Sequence, residues 1–329
     1  MPRAVVTGGA GFIGSHMVDL LVDHGYSVVV IDNLATGRAE NLARHRREPR
    51  VVLDETDMCT VPADSRLFEG VDHVFHFGGI GDIVPSIERP LDYMRANVNG
   101  TLAMLEASRH ARVRKFVYAA SSSCYGLATE LPTTERAQIR PEYPYALSKY
   151  LGESTALHWA QVYRLPVVSI RMFNVYGPRV RTTGAYGAVF GVFLAQKLHG
   201  KPYTVVGDGG QRRDFVYVTD VARAYLMAAQ SDRGGEVFNL GSGDPQTINR
   251  LVELMGGEVV HVPKRPGEPD CTWADIAKIQ RGLGWKPEVS FPQGVAAMLG
   301  QIEEWRAAPL WTPEKIEAAT RTWFEHLAR

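Results

Sequence analysis

The chain has 329 residues, of which 45% are hydrophobic and 22% are charged, so it can bury a packed core and lacks the composition of a disordered chain. Its 36 lysines and arginines equal its 36 aspartates and glutamates, a balance that gives no indication of a nucleic-acid or membrane-surface partner. No apolar run reaches the ~18 residues needed to span a bilayer, so we expect a cytoplasmic protein with one large or two modest domains.

Short apolar strands alternate with helices through the first half of the chain. A helix is predicted at 11–25, a long one follows residue 79 and runs to about His110, and another contains Tyr145. Strands that are buried on both faces and separated by helices indicate an α/β fold with a parallel, doubly wound sheet of the Rossmann type. The predicted strands are 4–6, 27–32, 51–57, 72–79, 115–122 and 166–177.

The second half of the chain is richer in loops. We therefore predict a first domain at 1–178 and a smaller α/β lobe built mainly from 179–329, with some strands or helices returning to the first domain. The tail has Thr312 as a helix N-cap and Pro313 at the first helical position. The apolar stripe of this tail predicts a helix packed on the body of the protein, and a dimer contact is the alternative. The stripe contains Ile316, Ala319, Thr320, Trp323, Phe324 and Leu327.

The segment TGGAGFIG at 7–14 follows a strand and opens a helix. Gly8, Gly11 and Gly14 permit a tight turn whose backbone N–H groups can approach a pyrophosphate at the helix N-terminus. Asp32 ends the second strand at the expected offset, where its carboxylate would accept from ribose hydroxyls and repel a 2′-phosphate. The pattern therefore predicts NAD rather than NADP. Asp57 is a candidate for the adenine amine, although a plain surface aspartate is nearly as good an interpretation.

Tyr145 and Lys149 lie four residues apart in EYPYALSKYLGES, a spacing that places both side chains on one helix face. A nearby cation favours the phenolate and lowers the pKa of a tyrosine, although a solvated helix face would have the same spacing. Ser121 in ASSSCYG ends the fifth strand, at the edge where open parallel sheets bind ligands. The three side chains form a candidate catalytic set.

These motifs, together with Asn97 in MRANVNGT, resemble those of the extended short-chain dehydrogenase/reductase family. FNVYGPR at 173–179 and QRRDFVYVTDVARA at 211–224 narrow the resemblance to nucleotide-sugar epimerases and dehydratases. The resemblance covers nearly the whole chain.

The resemblance implies an NAD-dependent enzyme that acts on a nucleoside-diphosphate sugar and forms a homodimer through helices near 91–110 and 145–163. Tyr145 would take the proton from a sugar hydroxyl, Lys149 would lower its pKa and hold the nicotinamide ribose, and Ser121 would bind the same sugar oxygen. The other implied NAD contacts are Phe12, Ile13, Asn33, Met58, Phe77, Asn97 and Phe173. The implied substrate contacts are Ser122, Ser123, Asn174, Arg213, Arg265, Asp270 and Thr272.

The reaction that follows oxidation of the sugar depends on the residue at position 123. Dehydratases and decarboxylases of the family usually have a glutamate there, and Ser123 is a poor acid or base for eliminating water. We therefore expect a 4-epimerase, with a 4,6-dehydratase as the alternative if Asp82 or Glu88 supplies the carboxylate. A non-catalytic, cofactor-bound regulatory or binding protein is the alternative of another class. The intact Ser121, Tyr145 and Lys149 set argues against it.

The small side chain of Thr272, before WAD, favours tolerance of an N-acetylhexosamine, because the resemblance places this residue in the sugar pocket. The nucleotide stays open between UDP, GDP, dTDP and CDP, since base-reading residues lie in variable loops such as 182–192.

No metal site is expected. The three cysteines, at positions 59, 124 and 271, have neither CxxC nor zinc-like spacing. His73 and His76 are three residues apart in a predicted strand, which directs them to opposite faces of the sheet.

Overall fold

The computed structural model describes residues 1–182, 189–264 and 268–327. Within these residues, thirteen strands and eleven α-helices alternate along the chain. The strands are β1 (Arg3–Thr7), β2 (Ser27–Ile31), β3 (Val51–Asp54), β4 (His73–His76), β5 (Lys115–Ser121), β6 (Val167–Met172), β7 (Asn174–Tyr176), β8 (Tyr203–Val206), β9 (Arg212–Arg213), β10 (Phe215–Tyr217), β11 (Glu236–Leu240), β12 (Gln246–Thr247) and β13 (Val259–Val262). The helices are α1 (Phe12–Asp23), α2 (Ile83–Glu88), α3 (Pro90–Met94), α4 (Gly100–Ala111), α5 (Pro144–Tyr163), α6 (Val189–Leu198), α7 (Val218–Gln230), α8 (Ile248–Met255), α9 (Ala277–Leu283), α10 (Phe291–Gly300) and α11 (Pro313–Leu327).

A parallel central sheet forms the first body, and its seven strands in the described ranges have the order β3-β2-β1-β4-β5-β6-β11. This order, which reverses beside β1, is that of Rossmann-type folds. One face carries a core with residues of α1 and α7, and the other carries a core with residues of α4 and α5. The predicted fold class is therefore confirmed.

The second lobe has its own core, formed by residues of α6, α8, α10, β8 and β10. Within it, β8 pairs with β13 and β7 pairs with β10, both in parallel. The chain also returns to the first body after residue 178, because β11 pairs with β6 and α7 packs against α1. The division at residue 178 remains a prediction about independent domains. No helix in the described ranges combines the length and the apolar character needed to cross a bilayer.

Four predicted elements are wrong in their extent. The strands predicted at 51–57 and 72–79 end three residues early, at Asp54 and His76, and two longer elements are divided. The strand predicted at 166–177 is two strands, because the Phe173 N–H still donates to Leu240 of β11 at 2.9 Å whereas the next N–H donates to Asp214 at 3.0 Å. The chain thus leaves the central sheet at Phe173 and joins β10. The single helix predicted to reach His110 is divided into α2, α3 and α4 by Pro90 and by a π-helical turn at Arg95–Asn99.

A buried ion pair fixes α5 to the sheet. The Arg171 guanidinium of β6 donates to both carboxylate oxygens of Glu153, and the two side chains are only 6% and 2% exposed. The Ser169 hydroxyl donates to the same carboxylate at 2.9 Å, and Arg171 also donates to the Tyr125 hydroxyl at 2.8 Å. Because all these groups are satisfied, the cost of burying the charges is offset and α5 has one position on the sheet.

The C-terminal helix begins as predicted. The Thr312 hydroxyl accepts from the Lys315 N–H at 3.4 Å, and Pro313 is the first residue of α11. Three positions of the predicted apolar stripe, Ile316, Thr320 and Trp323, are buried, whereas Phe324 is 37% exposed. The helix packs on the body of the protein against α2, as predicted.

We predict that Arg171→Met lowers the free energy of unfolding by about 3–5 kcal/mol, because it leaves the Glu153 carboxylate buried without its cation. Urea denaturation of the purified protein measures this change. The matched control is Arg306→Met, which breaks a pair with Glu303 whose side chains are 71% and 66% exposed, and should change stability by at most about 1 kcal/mol. Equal effects of the two substitutions would contradict the proposed role of the buried pair.

Candidate active site

A cavity of about 560 Å³ lies at the carboxyl ends of β5 and β6, between the central sheet and the second lobe. Its volume falls in the range of small-molecule sites, and its position is the one at which open parallel sheets bind ligands. At one end it is lined by residues 121–123 and Tyr145, and at the other by Gln211, Arg213 and Glu268. The cavity therefore joins the predicted catalytic set to a polar end in the second lobe.

The predicted catalytic hydroxyls meet at the end of β5. The Ser121 Oγ lies 2.8 Å from the Ser123 Oγ and accepts from the Ser123 N–H at 3.2 Å, in a 3₁₀ turn that follows the strand. The Tyr145 hydroxyl hydrogen-bonds with Ser121 from the first turn of α5, which Pro144 begins. Ser121, Ser123 and Tyr145 thus form a connected row of hydroxyl groups that faces the cavity.

Burial raises the pKa of the Tyr145 phenol above its usual value, while the hydrogen bond with Ser121 acts in the opposite direction. The sequence predicted that Lys149 lowers this pKa. In the structure desolvation dominates, and nearby Asp82 adds to it because its negative charge opposes formation of the phenolate. The net shift from these groups is therefore upward, and the lowering contribution of Lys149 stays a prediction.

Lys149 is buried on the inner face of α5. Its ammonium lies 4.7 Å from the centre of the Tyr118 ring, and its backbone carbonyl accepts from the Tyr118 hydroxyl at 3.1 Å. Burial lowers the pKa of Lys149 to about 8, against the opposing attraction of the Glu153 carboxylate one turn further along. Burial therefore disfavours the charged ammonium, and a negative charge brought beside Lys149 would favour it.

An aromatic stack that the sequence analysis missed supports Tyr145. The Tyr143 ring lies parallel to the Tyr145 ring, with an interplanar angle of 10° and centroids 6.4 Å apart, and the centroid of the Trp323 ring of α11 lies 6.2 Å from that of Tyr143. Tyr93 contacts Tyr145 edge-on at 6.4 Å. The only available signal was the EYPY sequence, in which Tyr143 and Tyr145 flank a proline; nothing local connects it to Trp323.

The glycines of TGGAGFIG make a turn that tolerates no side chain. Gly8 has φ +67°, a Cβ on Gly11 would lie 3.0 Å from the Gly8 carbonyl oxygen, and a Cβ on Gly14 would overlap that oxygen. The turn leads directly into α1, whose first residues are Phe12 and Ile13. It therefore brings bare backbone to a helix N-terminus, as a pyrophosphate site requires.

Asp32 lies at the end of β2 beside this turn, where its carboxylate accepts from the Ala10 and Leu34 N–H groups at 2.9 Å each. Burial raises the pKa of this carboxyl, and these N–H groups oppose the rise. Asn33 is exposed, and its side chain accepts from the Ala35 N–H. Both residues lie where the ribose of a dinucleotide would meet the end of the second strand.

The other predicted cofactor residues surround the ends of β3 and β4. Asn97 is fully buried, and its amide bonds to the backbone of Ile80 and to the Ser148 hydroxyl, so it ties the loop after β4 to α5. Asp57 forms an ion pair with Arg95 at 2.7 Å. Phe77 packs 4.6 Å from Tyr225. Their contacts with a cofactor remain predictions.

Two further predicted cofactor residues, Met58 and Phe173, lie in closely packed surroundings. The Met58 side chain lies against Gly78 and Gly100, where an added Cβ would be within 3 Å of it. Phe173 is buried, lines the large cavity and contacts the Tyr125 ring at 6.4 Å.

Ser122 and Ser123 line the cavity beside Ser121, whereas the other described substrate residues lie around its second-lobe end. The Thr272 hydroxyl donates to the Asn174 side chain at 2.7 Å, and Arg213 donates to Glu268 at 2.7 Å and to the Pro269 carbonyl at 2.8 Å. Asp270 lines an adjoining cavity of about 300 Å³ together with Arg213. The remaining predicted residue, Arg265, lies outside the described residues.

The two carboxylates considered for water elimination have different positions. Asp82 lines the cavity and forms an ion pair of 3.2 Å with Arg181, which the sequence analysis did not identify. Glu88 is exposed, does not line the cavity and accepts from Thr322 of α11 at 3.4 Å. Only Asp82 therefore stands near the catalytic hydroxyls.

The histidines of β4 face opposite sides of the sheet, as predicted. His73 lies beside Tyr26, whereas His76 is buried between Thr7 and Thr101 on the other face. Within the described ranges, no group of three or more histidine, cysteine or acidic residues could hold a metal ion.

Comparisons with known proteins agree with this geometry. The sequence profile of the NAD dependent epimerase/dehydratase family matches residues 4–241. A putative UDP-glucose 4-epimerase of Methanocaldococcus jannaschii is 36% identical over 307 residues, which cover 91% of this chain and 98% of that protein. A dTDP-glucose 4,6-dehydratase of Streptomyces niveus is 32% identical over 331 residues, which cover 95% of this chain and 97% of that protein.

Solved structures show the same relationship. The UDP-N-acetylglucosamine 4-epimerase from Methanobrevibacter ruminantium M1, in complex with UDP-N-acetylmuramic acid, has a TM-score of 0.86 and 32% identity, covering 92% of this chain and 97% of that one. The UDP-glucuronic acid 4-epimerase from Bacillus cereus, in complex with UDP-glucuronic acid and NAD, has a TM-score of 0.85 and 30% identity, covering 92% and 99%. The chain therefore belongs to the NAD-dependent epimerase/dehydratase family of the extended short-chain dehydrogenases/reductases, whose cofactor is NAD.

Proposed function

We propose that the protein is an NAD-dependent 4-epimerase of a nucleoside-diphosphate sugar. The observation that carries this proposal is the row of hydroxyls formed by Ser121, Ser123 and Tyr145 beside a buried Lys149. It supplies a proton acceptor and a hydrogen-bond partner for one sugar hydroxyl. Epimerases and dehydratases of this family share one fold, so the fold does not distinguish the two activities. The distinction depends on the residues around the row of hydroxyls.

The turn after β1 supports the cofactor. Gly8, Gly11 and Gly14 leave room for the pyrophosphate at the N-terminus of α1, and Asp32 at the end of β2 suits ribose hydroxyls and disfavours a 2′-phosphate. The buried Lys149, for which the described residues provide no acidic hydrogen-bond partner, suits the nicotinamide ribose. Bound NAD supplies reversible oxidation of the sugar carbon that carries the reacting hydroxyl.

Side chains of the protein accept the proton of that sugar hydroxyl and later return it. Tyr145 accepts it, and Ser121 hydrogen-bonds with the same oxygen and keeps it at the end of β5. A charged Lys149 favours the phenolate, which opposes the effect of burial on the pKa of Tyr145. Because the proton returns to the same oxygen at the end, an epimerase needs no second acid or base.

A 4,6-dehydratase needs an acid for the leaving hydroxyl and a base at the neighbouring carbon. Among the cavity-lining residues that the structure describes, the acids are Asp82 and Glu268, and each forms an ion pair with an arginine. Position 123 provides only a hydroxyl, which already bonds with Ser121. These observations favour epimerisation. They also favour catalysis over simple binding, since a binding protein has no use for the hydroxyl row.

Arg213, Gln211 and the adjoining 300 Å³ cavity support a nucleoside diphosphate at the second-lobe end. Arginine gives forked contacts with phosphate oxygens, for which Arg213 would exchange its bond with Glu268. The small Thr272, held by Asn174, leaves room beside the sugar and supports acceptance of an N-acetylhexosamine. The enzymes in the two neighbouring epimerase structures act on N-acetylated and uronic UDP-sugars, which makes UDP-sugars the first substrates to test.

Because nucleotide sugars and NAD are cytoplasmic metabolites, we infer that the protein acts in the cytoplasm.

We also infer that the protein is a homodimer, formed through the outer faces of α4 and α5. Leu102 on α4 and Leu147 and Leu151 on α5 are 38–40% exposed, and exposed leucines grouped on two adjacent helices are typical of an interface. These are the helices that the sequence analysis assigned to the dimer contact.

The proposed reaction predicts a product of unchanged mass. Incubation with UDP-, GDP-, dTDP- and CDP-hexoses, including N-acetyl and uronic forms, should convert at least one of them into an isomer that chromatography separates and mass spectrometry finds equal in mass. Tyr145→Phe should lower kcat by about 10²–10⁴-fold while NAD still binds. A product lighter by one water would identify a dehydratase instead, and full activity of Tyr145→Phe would remove the proposed base.

The tight packing of the glycine turn predicts that one added methyl group weakens the binding of NAD. Gly14→Ala places a Cβ against the Gly8 carbonyl oxygen, so the turn must shift and the affinity for NAD should fall by about tenfold or more. Isothermal titration of both proteins with NAD measures the change. Gly300→Ala is the matched control, because its Cβ would meet nothing within 4 Å. Unchanged affinity of Gly14→Ala would exclude this turn as the pyrophosphate site.

The proposed dimer predicts that Leu151→Asp produces a monomer, because an aspartate in an apolar interface is desolvated without a partner. Light scattering coupled to size-exclusion chromatography gives the mass in solution. Leu127→Asp is the control, since Leu127 is 45% exposed and lies on neither helix. A wild-type protein that is monomeric at micromolar concentration would contradict the inference.

A further inference from the structure

We propose that α11 completes the sugar end of the active site, and that its Trp323 is a specificity-determining residue. This inference rests on the proposed function for the identity of the substrate. The family profile ends at residue 241, so membership of the family gives no information about this helix. The argument therefore depends on where α11 lies and on what its side chains touch.

The helix lies over the catalytic end of the cavity. Trp323 lines the cavity together with Tyr143, Tyr145 and Ser123, and Trp311, just before the helix, lines it as well. The Gln196 side chain of α6 donates to the Trp311 carbonyl at 2.8 Å, and Thr322 donates to Glu88 of α2 at 3.4 Å. Bonds to both bodies of the protein hold the segment across this end of the cavity.

Trp323 acts on the catalytic residues through Tyr143. Its indole lies 6.2 Å from the Tyr143 ring, which in turn lies parallel to the Tyr145 ring. The Tyr143 hydroxyl hydrogen-bonds with Ser123, which lies 2.8 Å from Ser121. The indole is only 6% exposed, so its removal would open space beside Tyr143.

The consequence for the substrate is a limit on size. The sugar must present one hydroxyl to Ser121 and Tyr145, and the wall formed by Tyr143 and Trp323 stands beside these two residues. Arg213, the proposed nucleotide-binding residue, lines the same cavity from the second lobe. A change at Trp323 should therefore alter the discrimination between sugars and leave recognition of the nucleotide unaffected. From the sequence, Thr272 was the residue that indicated the size of the sugar. The structure adds Trp323 of α11, which is distant from Tyr143 in the sequence, as a second limit on that size.

Steady-state kinetics with UDP-glucose, UDP-N-acetylglucosamine and UDP-glucuronic acid test the proposal. Trp323→Ala removes the indole, so the kcat/KM of at least one larger sugar should rise about fivefold or more relative to UDP-glucose. Trp323→Phe, which keeps an aromatic wall, should restore most of the wild-type ratio. Phe324→Ala is the matched control, because this neighbour on α11 is exposed and does not line the cavity; its ratios should stay within about twofold of wild type.

A binding measurement separates the sugar from the nucleotide. In the Tyr145→Phe background, which prevents turnover, titration with UDP-glucose and with UDP should show that Trp323→Ala changes the dissociation constant of the sugar nucleotide by about threefold or more and that of UDP by less than twofold. Equal changes for both ligands would overturn the proposal, as would unchanged sugar ratios in a folded Trp323→Ala protein. If Trp323→Ala does not fold, Trp323→Leu replaces it in both measurements.

The outcomes distinguish this inference from the proposed function. A wild-type protein that forms no isomer from any sugar nucleotide contradicts the epimerase, and the binding measurement then still decides the role of Trp323. A wild-type protein that forms an isomer, with sugar ratios that Trp323→Ala leaves unchanged, contradicts only the role of α11.

Discussion

The buried ion pair between Glu153 and Arg171 determines where the proposed catalytic residues of α5 stand. Tyr145, Lys149 and Glu153 follow one another at steps of four residues on α5, so the face that presents the catalytic pair is the face that meets the sheet. Fixing Glu153 against β6 therefore fixes the two residues before it. The same burial acts on their chemistry, because it lowers the pKa of Lys149 to about 8 and raises the pKa of Tyr145. Packing α5 firmly on the sheet places Tyr145 and Lys149 precisely. The same burial disfavours the charged forms of both side chains.

Burial changes the electrostatic role that Lys149 can have beside Tyr145. A solvent-exposed lysine would be permanently charged and would act as a fixed cation beside the phenol. Here the ammonium is buried near the Tyr118 ring, so its own charge is sensitive to its surroundings. Burial disfavours the charged form of both Tyr145 and Lys149, and an opposite charge brought beside either group would favour that form. The spacing of the two residues gives their proximity, whereas the protonation state follows from burial.

The sequence predicted the features that depend on local pattern. Six of the seven strands of the central sheet, the start of α11 at Thr312 and the glycine turn follow from apolar spacing, capping residues and glycine positions within short segments, whereas β11 was not predicted as a strand. The extent of β6 was wrong because Phe173 leaves the sheet only when β10 offers a partner more than forty residues away. The Asp82–Arg181 pair and the contact between Tyr143 and Trp323 were missed for the same reason. Their members lie about 100 and 180 residues apart, and no local pattern connects them.

The choice between epimerisation and elimination depends on what surrounds the row of hydroxyls. A keto-sugar loses water when a carboxylate can take a proton from one carbon and an acid can protonate the leaving oxygen, whereas it is epimerised when it turns over intact. The cavity provides hydroxyls at Ser121 and Ser123, and the carboxylates among its described residues are neutralised by Arg181 and Arg213. Each of these two carboxylates would have to leave its arginine before it could exchange a proton with the sugar. The described residues of the cavity therefore favour returning the proton to the oxygen from which it came over eliminating water.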